Sequence, residues 1–159
     1  MIVDDGHVYP HGCIYRHPYE NGQWYEISTY NDGKLDGPIK YYFENRQLML
    51  EGFYKDDKKE GLWKTYHANG QIWDEMTYKN DKWNGRRLRY DDNGQLSGEF
   101  TYKDGMREGP TSEYHSNGRL WIEMKYKNDE LEGPWVVYDE YGNKDNGRSG
   151  TYKNGVKVK

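Results

Sequence analysis

The sequence predicts an all-β chain, an elongated single-layer antiparallel β-meander built from 24-residue hairpin repeats, and three observations carry that prediction. Gly37, Gly61, Gly85, Gly109 and Gly133 stand 24 residues apart. Two tyrosine columns keep the same period, Tyr30, Tyr54, Tyr78, Tyr102 and Tyr126 in one and Tyr42, Tyr66, Tyr90, Tyr114 and Tyr138 in the other. Dipeptides with turn chemistry recur at two offsets within each period. A fixed period of this length marks an array of supersecondary units, and the 12-residue offset between the tyrosine columns divides each unit into two halves.

Residues 1–18, with Asp4-Asp5-Gly6 and His11-Gly12, read as a degenerate N-terminal cap segment. The regular array runs over 19–155, about five full repeats with partial ends. Its first turn series is Asn21-Gly22, Asn69-Gly70, Asn93-Gly94 and Asn117-Gly118, altered to Asn45-Arg46 and Tyr141-Gly142. Asn-Gly between alternating apolar residues predicts a two-residue type I′ hairpin, which needs positive φ at both central positions. The second series, Asp32-Gly33, Asp56-Asp57, Asn80-Asp81, Asp104-Gly105 and Asn128-Asp129, again uses residues that tolerate left-handed φ. Tight turns at both ends of every strand force sequential antiparallel pairing, since parallel neighbours need long crossovers.

Leu, Ile, Val and Phe together supply only 23 of 159 residues, which by itself points towards disorder. The 26 aromatic residues, 17 of them Tyr, reverse that reading. An aromatic ring buries about 150–250 Å² while its polar tip stays wet, which suits a sheet one layer thick. The net charge of −4 is too small to hold the chain open. Alternation assigns an apolar face to Leu48-Leu50-Gly52-Tyr54 and its repeats at Ile72, Leu96 and Leu120. The opposite face carries a glutamate in every unit, Glu51, Glu75, Glu99 and Glu123, expected to form a solvated stripe that keeps it soluble.

Positions identical in every unit turn or pack the chain, whereas positions that differ are free to specialise. The candidates for partner binding are therefore Trp63, Trp73, Arg87, Arg89, Trp121 and Trp135, because Trp and Arg are enriched where binding energy concentrates. The alternative for each tryptophan is that it covers the thin sheet.

The pattern Tyr126-Lys127-Asn128-Asp129, then Gly133-Pro134-Trp135, Tyr138 and Gly142, repeated in register, resembles the MORN repeat. It is most similar to the bacterial variant of that repeat, found in antitoxin-like proteins. The resemblance spans roughly residues 19–155 and implies an antiparallel scaffold or binding surface with no catalytic residues to carry over. It departs from the pattern at Arg46, Asp57, Asp81 and Asp129, where turn glycines are replaced.

Other chemistries fit less well. His7, His11, Cys13 and His17 are zinc-ligand types but match no usual spacing, so no metal and no cofactor is expected. The glutamates lack a desolvating pocket to raise one carboxyl pKa for glycoside hydrolysis. His67 and His115 precede turns and face no nucleophile, so the chain is not expected to be an enzyme. With 23 basic against 27 acidic residues, nucleic-acid and membrane partners are disfavoured and a protein partner with basic patches is expected. A single cysteine and no apolar run near the start or elsewhere predict a cytoplasmic chain without disulfides. The expected function is a non-catalytic scaffold that binds another protein, as an antitoxin or inhibitor, through its variable aromatic and arginine positions. A carbohydrate-binding module using Trp and Tyr rows is the second reading, and a self-associating spacer with open sheet edges is a third.

Overall fold

The structure is a computed structural model that describes residues 12–159. It divides into two compact units, the first running up to Lys82 and the second from Trp83 onward. In the first, β1 (Cys13–Pro18), β2 (Trp24–Asn31), β3 (Lys34–Tyr42), β4 (Leu48–Lys55), β5 (Lys58–Tyr66) and β6 (Ile72–Lys79) lie side by side in chain order, with antiparallel pairing from β1–β2 through β5–β6. The second unit repeats the meander. Its long strands are β7 (Lys82–Tyr90), β8 (Leu96–Lys103), β10 (Gly109–Tyr114), β11 (Leu120–Lys127) and β13 (Gly133–Val137), paired in that order. The short β9 (Met106–Arg107) and β12 (Glu130–Leu131) extend the pairing on β8 and β11, and β14 (Gly150–Lys153) with β15 (Val156–Lys157) ends the chain. The predicted antiparallel hairpin meander is what forms.

Both turn series fall where the sequence places them, and the second takes the left-handed φ expected of it, but the first is not the type I′ turn expected. At the Asn-Gly sites only the second residue has positive φ, as at Gly70 (86°) and Gly118 (81°). His67 N–H donates to Gln71 O and Gly70 N–H to His67 O, which is a type I turn followed by a left-handed residue rather than type I′. The reason lies in the asparagine side chain. Asn69 Oδ1 accepts the Gln71 N–H at 2.9 Å, and Asn21, Asn45 and Asn117 repeat this bond, which holds Asn outside the left-handed region. The type I′ turns are the second series: Asp56 and Asp57 have φ of 47° and 65°, Asn80 and Asn128 49° and 50°, Asp81 and Asp129 66° and 68°.

The aspartates that replace turn glycines have a task that glycine lacks. Asp57, Asp81 and Asp129 each donate a backbone N–H to the carbonyl 22 residues earlier, at Leu35, Lys59 and Arg107. Each carboxylate then accepts the N–H of that same residue at 2.8 Å. One residue thus latches two successive repeats by a reciprocal pair of bonds. Glu60 and Glu108 add a third, accepting the N–H of Asn80 and Asn128, and Glu132 likewise accepts from Asn154, where Gly155 stands in place of the aspartate.

The 24-residue glycine column sits in a bulge where the glycine strand carries two more residues than its partner, as the pairing shifts at Ser28/Tyr30 and Glu51/Phe53 record. Gly37 has φ 141°, and a Cβ there would lie 2.7 Å from Thr29 Cβ, so only glycine fits. Cross-strand partners fix the faces. Ile39 opposes Gly52, Trp63 opposes Met76 and Arg87 opposes Phe100, so Ile39, Trp63, Arg87, Thr111 and Trp135 join the apolar face. Buried on that face are Ile39 and Trp63 in the first unit, and Ile122, Met124, Tyr126 and Val137, one cluster, in the second. The column from Tyr42 to Tyr138 shares the glutamate face, where the Tyr66 hydroxyl donates to Glu51 Oε1 at 2.7 Å.

Candidate interaction face

The six residues singled out from sequence do not share one face. Trp63 is 3 % exposed and lies over Gly52, so it belongs to the core. Lys59 Nζ sits 4.5 Å above its indole and 5.1 Å above the Tyr78 ring. Arg87 and Arg89 approach Phe100 at 5.8 and 5.1 Å, and Trp135 packs on the Ile122 cluster and against Tyr152. These four sit with the sheet's buried side, the alternative the sequence left open for the tryptophans.

Trp73 and Trp121 point the other way, with the glutamates. They occupy the same repeat position 48 residues apart, and each lies about one ring away from a histidine: His67 to Trp73 at 6.1 Å, His115 to Trp121 at 5.9 Å. The histidines therefore flank aromatic surface as well as turns. His115 Nε2 also lies 3.0 Å from the Tyr138 carbonyl.

On the glutamate face of the first unit, Lys40, Glu51, Lys64 and Glu75 oppose one another across β3 to β6. Lys40 Nζ lies 3.7 Å from Glu51, and Lys64 Nζ 2.9 Å from Glu75. In the second unit Arg86 reaches Glu99 at 2.8 Å. The expected solvated stripe is thus corrected: three of its four carboxylates are partnered within the sheet, because the strand facing each glutamate supplies a cation. Such cross-strand pairs contribute roughly 0.2–1 kcal/mol each.

Apolar surface flanks that ladder. Phe53, Leu62 and Trp73 are 42 %, 52 % and 49 % exposed. Pro38, Phe53 and Leu62 wall a hollow of about 230 Å³, and Phe43, Met49, Tyr66, His67 and Trp73 wall another of about 640 Å³. Phe53 and Leu62 were missed because the candidates were confined to Trp and Arg; Phe53 stands where other repeats have Thr77, Thr101 and Lys125, and Leu62 where they have Pro38, Arg86, Pro110 and Pro134, so a search for apolar residues on the glutamate parity finds both.

Of the four residues weighed as metal ligands, His7 and His11 lie outside the described residues. Cys13 is a free, half-buried thiol, and His17 Nδ1 lies 3.0 Å from the Tyr15 hydroxyl. No group of three His, Cys, Asp or Glu able to hold a metal occurs among the described residues.

A sheet of hairpin repeats that displays apolar side chains beside a charge ladder defines a repeat-built β-scaffold. The sequence model of the MORN repeat variant matches residues 35–56, 59–80, 83–104 and 107–128, more than half of the chain, which therefore belongs to that family. Proteins of this kind are generally non-catalytic repeat modules, often engaged in protein or membrane interactions. No curated protein matches the chain.

Proposed function

We propose that this chain is a non-catalytic module that binds another protein through the glutamate face of its sheet. The observation that carries the reading is the exposure of Phe53, Leu62 and Trp73 on that face, beside two hollows. Large apolar side chains left half in water next to concavities are what protein partners cover. Trp121 at the matching position offers the second unit a related anchor. The internally paired glutamates leave less acidic charge for a basic partner than the sequence alone suggested, so apolar contact supplies the affinity and the ladder fixes orientation. An inhibitory or antitoxin role is the same reading with one addition, that the covered surface of the partner is its working surface.

The test is affinity capture from native lysate with the wild-type chain and with Trp73→Ser combined with Trp121→Ser. A protein retained only by wild type, with the far-UV spectrum of the double variant unchanged, supports the reading. Equal capture by both, or loss of β-structure in the variant, overturns it. Retention of glycans instead would transfer the face to the carbohydrate reading.

A further inference from the structure

One repeat breaks the turn rule. Gly22, Gly70, Gly94, Gly118 and Gly142 hold the left-handed position of the Asx hairpin, and the sixth copy holds it with Arg46 at φ 70°. A side chain with a Cβ is strained there, so arginine is kept against the local preference. Its surroundings differ from those of the glycines too. Arg46 lines a hollow of about 450 Å³ together with Gln23, Trp24, Ile27 and Tyr42. With the Gln23 amide oriented to satisfy its neighbours, Arg46 Nε and Nη2 donate to its oxygen at 3.1 and 3.3 Å. This fixes the plane of the guanidinium and leaves its remaining N–H groups undirected. A second guanidinium borders the same place: Arg16 opposes Ile27 across the strands and stands 5.8 Å over the Trp24 ring. Neither arginine forms an ion pair among the described residues. The chain as a whole is acidic, yet Arg46 in this hollow and Arg16 over its Trp24 wall have no carboxylate partner among the described residues.

We propose that the hollow takes a carboxylate side chain of the protein partner, flanked by an apolar residue. Arg46 receives the carboxylate, Arg16 adds attraction, and Trp24 with Ile27 covers the apolar neighbour. The guanidinium fork suits a carboxylate better than a lone ammonium would. This rests on the reading of the chain as a protein-binding module and names the chemistry of one contact.

The probes are the capped tripeptide Leu-Glu-Phe, its Leu-Gln-Phe isostere and inorganic phosphate, titrated into the full chain while the Arg46 Nε–H and Trp24 indole N–H resonances are followed. The Glu peptide is expected to shift both saturably, with the Gln peptide weaker by about tenfold, a charged hydrogen bond's worth. Arg46→Gly is expected to abolish the difference between the peptides while raising Tm, which separates lost binding from lost folding. No saturable shift up to the solubility limit, equal binding of the two peptides, or an unchanged preference in Arg46→Gly would overturn the proposal. So would phosphate reproducing both shifts, since the site would then be a plain anion site. Trp73 and Trp121 take no part in this titration, so its failure leaves their test standing, and the reverse holds as well.

Discussion

Gly52→Ala tests the packing on which the first unit depends. Gly52 lies in a strand with no positive φ, so alanine meets no backbone penalty and by entropy alone gains about 0.5–1 kcal/mol. Its side chain would nevertheless overlap the Trp63 indole, which covers the glycine and is 3 % exposed. Backbone shift or tilting of the indole must follow, at about 1–3 kcal/mol. Trp63→Ala alone should cost about 3–5 kcal/mol, in line with some 200 Å² of aromatic surface at 25 cal/mol per Å². In the double variant the collision vanishes. The two changes together should therefore cost no more than Trp63→Ala alone, a coupling of about 1–3 kcal/mol. Urea unfolding followed by far-UV circular dichroism, with hydrogen exchange at the β4 and β5 amides, measures it. Additivity of the two costs within about 0.5 kcal/mol would show that Trp63 and Gly52 do not share that space.

Two further predictions concern the latches and the tyrosines. Asp81→Gly keeps the turn conformation but removes the acceptor of the Lys59 N–H, so exchange of that amide should accelerate about tenfold or more, whereas Asp81→Asn should not change it. Equal exchange in both variants would discard the latch. Burial raises the phenol pKa values of Tyr41, Tyr54, Tyr66 and Tyr126, helped at Tyr66 by its bond to the Glu51 carboxylate and opposed at Tyr126 by Arg107. The folded chain therefore holds protons that the unfolded chain releases near pH 10. Stability contributed by these phenols is complete below about pH 10 and falls as pH rises above it. A urea midpoint that stayed level through that range would count against their burial.

Parity along β4, from Leu48 to Tyr54, is legible because alternation is local and a strand has no other option. The partners of β5 are not, because the bulge at Gly61 puts two more residues between Lys64 and Glu60 than β4 has between Glu51 and Phe53, which shifts the cross-strand partners while each side chain keeps its face. Trp63 therefore looked variable and free, yet it fills the space that Gly52 leaves. Among the candidates, Trp73 and Trp121 lie on the glutamate face, and Arg46 was visible only as a defect in a turn pattern.

By itself the sequence determined the period, the positions of the two turn series and the antiparallel order, since all of these follow from residues within one 24-residue unit. Tertiary structure decided the latches between repeats, the partners of the glutamates and the hollow that Arg46 lines. Each depends on an atom contributed by a neighbouring strand or by the next repeat, as when Asp81 meets Lys59 or Lys64 meets Glu75. No local pattern contains that atom, and only the folded register brings it within bonding distance.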